Sequence, residues 1–142
     1  MKRYRVILDT NVVLAALRSQ AGASYRLLFT IGHPRWQAVI TPAVMYEYED
    51  LVRRPGNAPG LSRQDITNIL DLIYRESHRQ LVWFSWRPLS SDPGDDAILE
   101  AAIVGGCDYV VSFNERHLRA ARKFGIEVLK PADLLKLIGE SE

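Results

Sequence analysis

The chain opens with an apolar, β-branched-rich run, Val6-Ile7-Leu8, that stops abruptly at the polar triplet Asp9-Thr10-Asn11. Apolar residues resume at Val12, Val13, Leu14 and Leu17 with helical spacing. An unbroken apolar strand of this kind lies fully buried, between layers rather than on a wetted face. The order strand, polar triplet, helix puts Asp9 at the strand's carboxyl end, the edge where open α/β sheets form their sites. Asp9 is therefore a candidate for chemistry. Its competing role is to cap the following helix, as aspartate often does, and position alone does not separate the two.

Lys2, Arg3 and Arg5 before the run, with Ala21-Gly22-Ala23 after it, also echo a secretory signal. Asp9 and Asn11 would then sit inside the signal's apolar segment, where charge is costly, which argues against that reading. Elsewhere short apolar runs alternate with helical patterns. Strands are expected at Arg5–Leu8, Gln37–Ile40, Leu81–Phe84, Tyr109–Ser112 and Glu127–Leu129. Helices are expected at Val12–Leu17, Ser24–Ile31, Ala43–Val52, Ser62–Glu76, Asp95–Val104, His117–Lys123 and Ala132–Ile138. This alternation predicts a parallel sheet flanked by helices. Breaks fall at Gly32-His33-Pro34 and at Pro55-Gly56-Asn57-Ala58-Pro59-Gly60, a turn-rich loop long enough to be mobile.

A chain of 142 residues fits one domain, residues 1–142, with no internal repeat or linker. Apolar residues at 47% exclude disorder for its bulk. No apolar run approaches the ~18 residues that span a bilayer. The single cysteine, Cys107, forms no internal disulfide and suits a reducing cytoplasm. A net charge of +1 predicts no partner, but its distribution does. Arg116, Arg119, Arg122 and Lys123 cluster, as do Lys2, Arg3 and Arg5, and such clusters contact phosphates in a nucleic-acid groove or simply face solvent.

Two further carboxylates fall where Asp9 needs partners. The second strand ends in Thr41-Pro42, and proline suits the first turn of the helix that follows. Val44, Tyr48, Leu51 and Val52 trace the apolar stripe of that helix, and Glu47 shares their phase, whereas Glu49 and Asp50 do not. A carboxylate on the inward face is expensive unless a cation offsets its burial. In Ser91-Asp92-Pro93-Gly94-Asp95-Asp96, Asp92 reads as an N-cap, and the helix dipole accounts for acids in the first turn. Asp96, however, shares the stripe of Leu99 and Ile103 and should lean toward the sheet. Asp9, Glu47 and Asp96 come from three βα connections and can converge at one sheet edge. Oxygen-only ligands select Mg²⁺ or Mn²⁺ over zinc, and carboxylate-held Mg²⁺ is typical of phosphate chemistry.

At this point the chain resembles a PIN-domain nuclease. The resemblance rests on Ile7-Leu8-Asp9-Thr10-Asn11-Val12, Thr41-Pro42-Ala43-Val44-Met45-Tyr46-Glu47, Asp95-Asp96-Ala97-Ile98-Leu99-Glu100-Ala101-Ala102 and Asp108-Tyr109-Val110-Val111-Ser112-Phe113-Asn114, in order and with fitting spacing. It is similar most of all to stand-alone PIN proteins described as toxins of toxin–antitoxin pairs. The resemblance implies a five-stranded parallel sheet in an α/β/α sandwich, a Mg²⁺- or Mn²⁺-dependent ribonuclease, an antitoxin partner and a homodimer. Carried over, Asp9, Glu47 and Asp96 become the metal-binding acids, with Asn11 and Ser112 as polar supports. The family's fourth acid falls here on Asn114, or on His117 in an alternative spacing, so the pocket holds one negative charge fewer. Asn114 still offers a neutral oxygen.

A phosphohydrolase using Asp9 as covalent nucleophile needs a second aspartate two residues on, where Asn11 stands. The other alternative is a PIN scaffold that binds RNA or protein without cleaving. His33, His78 and His117 lack ligand spacing for zinc. Trp83, Phe84 and Trp86 read as packing around the third strand, with Trp86 also placed to stack a base.

Overall fold

The computed structural model describes residues 2–82 and 93–140, leaving aside the side chains of residues 93–95, 116 and 117. The elements are β1 (Tyr4–Leu8), α1 (Thr10–Arg18), α2 (Ala23–Leu28), β2 (Trp36–Ile40), α3 (Pro42–Val52) and α4 (Arg63–Glu76). They continue with β3 (His78–Arg79), α5 (Pro93–Val104), β4 (Tyr109–Val111), a 3-10 helix (Glu115–Phe124), β5 (Glu127–Leu129) and α6 (Pro131–Leu137).

The five strands form one all-parallel sheet in the order β3-β2-β1-β4-β5. From β1 the chain steps outward through β2 to β3, then crosses back to lay β4 on the other side of β1 and β5 beyond it. Right-handed crossovers put the helices of these two legs on opposite faces. Accordingly α1 packs against α2 and α3, and α2 against α6, while α5 packs against the 3-10 helix. β1, covered on both faces, buries Val6, Ile7 and Leu8 completely, as its unbroken apolar run requires.

Local sequence explains the element ends. Ser62 and Asp65 form a reciprocal capping box at the start of α4, with bonds of 2.9 and 3.0 Å. That helix buries Ile66, Leu70 and Ile73 along one stripe. The Thr41 hydroxyl accepts the Val44 N–H at 3.2 Å, and Pro42 takes the first helical position of α3. At the end of α5 two glycines act differently. A Cβ on Gly105 would lie 2.7 Å from both the Ala101 carbonyl and a Val39 methyl, and Gly106 takes φ +61° to turn the chain into β4.

Two expectations are corrected. The third strand is His78–Arg79, and of the expected Leu81–Phe84 the described residues Leu81 and Val82 lie outside any strand. The partners of β3 are Val39 and Ile40, and Gln80 N–H adds a last bond to the Ile40 carbonyl at 2.8 Å. At Pro42 the β2 backbone turns into a helix, so the ladder offers Leu81 and Val82 nothing to pair with. Trp83, Phe84, Trp86 and Asp92 lie outside the described residues. The helix expected at His117–Lys123 is wound as a 3-10 helix. The Pro55–Gly60 loop is tied at Asn57, whose carbonyl accepts Arg18 Nε–H at 2.9 Å and whose amide donates to the Leu51 carbonyl at 2.8 Å. Among the described residues no helix is long and apolar enough to cross a membrane.

Candidate active site

The direction of winding reverses between β1 and β4, and in doubly wound sheets a crevice opens at such a point, beyond the carboxyl ends. Asp9 and Ser112 are the first residues past those ends. Asp9 N–H closes the β1–β4 ladder on the Val111 carbonyl at 2.8 Å, and Ser112 N–H closes the β4–β5 ladder on the Leu129 carbonyl at 2.9 Å. Asp9 occupies the N-cap position of α1, yet its side chain makes no capping hydrogen bond. Its carboxylate instead accepts the Ser112 hydroxyl at 2.6 Å. The capping explanation of Asp9 is thereby removed. The same hydroxyl accepts Asn114 N–H at 2.9 Å, using one donor and one acceptor of its small inventory. Asn114 is thus linked to Asp9 through backbone and Ser112, and its own side chain, half-buried, caps nothing.

Helix α3 is fastened to the same edge by Tyr48, whose buried hydroxyl donates to the Leu8 carbonyl, one residue before Asp9. Burial, reinforced by the negative charge of Asp9, pushes the Tyr48 phenol well above its ordinary pKa. It stays a neutral, fixed donor. Glu47 precedes it and is half-buried, not turned fully inward as its stripe phase suggests. Glu49 and Asp50 face solvent in i,i+4 pairs with Arg53 and Arg54, at 3.0 and 2.7 Å.

Helix α5 begins at this edge and passes along β1 and α3. Asp96, in its first turn, is only 5% exposed, as is Asp9. One turn further Glu100 is 4% exposed, a buried carboxylate outside the acids expected from the sequence. The available signal was its i,i+4 relation to Asp96 within the apolar run from Ala97 to Val104. The buried acids are therefore Asp9, Asp96 and Glu100, with Glu47 nearer the surface. Asn11 points from the first turn of α1 into solvent. The side chain of Asp95 lies outside the described residues.

The two basic clusters separate. Lys2 pairs with Asp108 at 3.2 Å, Arg5 Nε–H donates to the Gly105 carbonyl at 2.7 Å, and Arg5 N–H binds Asp108 at 2.9 Å. These contacts lie at the amino edge, opposite Asp9. The 3-10 helix leaves β4 at the carboxyl edge, and its Arg119 and Arg122 are exposed along an open groove of about 340 Å³ with Glu115 and Val128. The side chains of Arg116 and His117 lie outside the described residues. His33 is held by Glu140 at 3.3 Å and His78 by Gln80 at 3.0 Å. Cys107 is a buried free thiol within the hydrophobic core.

The donor chemistry of the edge is all oxygen, which fits a hard divalent cation. Its geometry is open, for among the described residues no three His, Cys, Asp or Glu side chains gather into a group able to hold a metal ion.

The family model described as the PIN domain matches residues 5–116, most of the chain. No curated protein matches it.

Proposed function

The chain belongs to the PIN-domain family, whose fold is that of nucleases, and from that premise we propose that it is a metal-dependent ribonuclease cleaving single-stranded RNA. The observation that carries the reading is the Asp9 carboxylate, buried at the switch point of the sheet and held by Ser112 rather than by a helix end. In this reading Asp9, Glu47 and Asp96 are the metal ligands. Ser112 and Asn114 orient Asp9, and Asn11 borders the entrance.

Bound Mg²⁺ or Mn²⁺ would supply an activated water and steady the departing oxygen of the phosphodiester. The chain's part is to aim its acids. Ser112 fixes one Asp9 oxygen, Tyr48 pins α3 against β1, and Glu47 keeps a half-exposed side chain able to close on the edge. Arg119 and Arg122, with Arg116 on the same segment, receive the RNA backbone.

The single domain spans residues 1–142 and acts in the cytoplasm as the toxin of a toxin–antitoxin pair, as a homodimer checked by an antitoxin protein. Purified protein should cleave single-stranded RNA with Mg²⁺ or Mn²⁺, lose that activity in chelator and regain it when metal is returned. Undiminished cleavage in chelator overturns the mechanism. A small DNA-binding protein encoded next to this gene would support the toxin role.

A further inference from the structure

Just beyond the carboxyl end of β2 lies a second groove, of about 440 Å³, in the range of small-ligand sites. Ile40, Thr41 and Pro42 line one end of it. Tyr46 of α3 and Tyr74 of α4 stand in it with 71% and 53% of their surfaces exposed. These two rings present apolar and aromatic surface to a ligand beside the sheet edge. Arg79 of β3 reaches into the same groove. Its guanidinium lies 4.7 Å from the Tyr74 ring centre and donates to the Tyr74 carbonyl at 2.7 Å. These two contacts hold the guanidinium in place while Arg79 stays exposed. Glu49, also in the groove, is paired with Arg53 at 3.0 Å. Among the described residues no carboxylate forms a salt bridge with Arg79, so its charge gives the groove a cationic end.

We propose that this groove is a nucleotide subsite, which stacks one base of single-stranded RNA on its tyrosines and holds the adjoining phosphate on Arg79. The inference rests on the ribonuclease reading and extends it to the substrate beside the cleaved bond. Two juxtapositions tie the groove to that bond. Tyr46 immediately precedes Glu47 on α3. Continuing the β1–β2 register from Val6↔Ala38 brings Thr41 level with Asp9, each the first residue past the end of its strand. A strand of RNA with a phosphate at Asp9 therefore lays its neighbouring nucleotide here. An aromatic platform with one cation is what sequence-tolerant single-strand binding uses, because every base has a π face. A protein partner would use the same rings without needing the cation.

The test measures binding of a fluorescein-labelled twelve-nucleotide oligo(A) RNA by anisotropy, in an Asp9→Asn background that prevents cleavage. Tyr46→Ala and Tyr74→Ala should each weaken binding about 5- to 150-fold, as expected for one lost stacking contact. Tyr→Phe at either position should restore it. Arg79→Gln should lower the salt slope by roughly 0.7, one phosphate on a single strand. An abasic version of the oligomer should bind the background protein and its tyrosine variants alike. Unchanged affinity in both alanine variants, with binding by the background intact, overturns the subsite and leaves the ribonuclease reading standing. If the unsubstituted protein neither binds nor cleaves RNA, both fall. Normal RNA binding by variants that dissociate in sedimentation assigns the groove to a second copy and overturns the proposal.

Discussion

The Ser112 hydroxyl donates a 2.6 Å hydrogen bond to the Asp9 carboxylate, and both residues are buried. The two are separated by most of the chain yet sit side by side because β1 and β4 are parallel neighbours in register, Leu8 with Val111. A buried carboxylate is costly unless hydrogen-bonded, and this bond meets part of that cost while fixing where the remaining oxygen points.

Asp9→Asn should preserve the fold, since the amide keeps an oxygen able to accept from Ser112. RNA cleavage should fall by orders of magnitude because the ligand charge is gone. Circular dichroism and a gel-based cleavage assay check the two halves, and a fully active variant refutes the assignment of Asp9.

Ser112→Ala removes the donor to a charged group and the acceptor of Asn114 N–H. The expected loss of stability is about 1.5–3 kcal/mol, the range for hydrogen bonds to ions. Urea unfolding reads it directly, and cleavage should drop as Asp9 loses its fixed orientation. A variant as stable as the parent would show that the bond contributes no net stability.

Asn114→Asp adds a carboxylate at the position where the family's fourth acid is expected. It should tighten Mg²⁺ or Mn²⁺ binding in calorimetry and enlarge the metal-induced rise in Tm through linkage. Without metal it should lower Tm, because another negative charge joins the buried acids. His117→Asp tests the alternative spacing in the same assays. If neither changes metal affinity, the residues after β4 do not reach the ion.

Arg119 and Arg122 stand three residues apart on a 3-10 helix, a spacing that stacks side chains on one face. Charge reversal of both to Glu should weaken RNA binding and flatten its dependence on salt by roughly 0.7 per lost phosphate contact. An unchanged slope returns this face to solvent.

Cys107 supplies a pH prediction. Burial pushes its thiol up to about 12, with the Asp108 charge adding to the rise and Arg5 opposing it. The unfolded chain loses this proton from about pH 8.5, whereas the folded protein keeps it. The stabilisation is therefore complete below that pH and is lost as pH rises through the folded value. Between about pH 8.5 and 10, below the range where Tyr48 adds a slope of the same sign, Tm should fall less steeply in Cys107→Ala than in the parent. A thiol reagent at pH 8 should leave the native protein unlabelled and label it in denaturant.

The sequence by itself determined the parallel α/β architecture and the position of Asp9 at a strand end. The reason is local. An unbroken apolar strand needs cover on both faces, and Thr41-Pro42 and the Ser62–Asp65 box mark their helix starts by chemistry within a few residues. What Asp9 does with its carboxylate was decided only in three dimensions, because capping and ligand roles share one sequence signature and the deciding donor, Ser112, comes from a distant strand. The third strand was likewise a matter of partners. Leu81-Val82 has the better strand pattern, but β2 ends beside His78 and Arg79, and a strand exists only where a neighbour's backbone is free to pair. Glu47 and Glu100 follow the same rule. Helical phase puts each on or near an apolar stripe, while the depth of burial depends on the layers that pack above it, which leave Glu47 half-exposed and enclose Glu100.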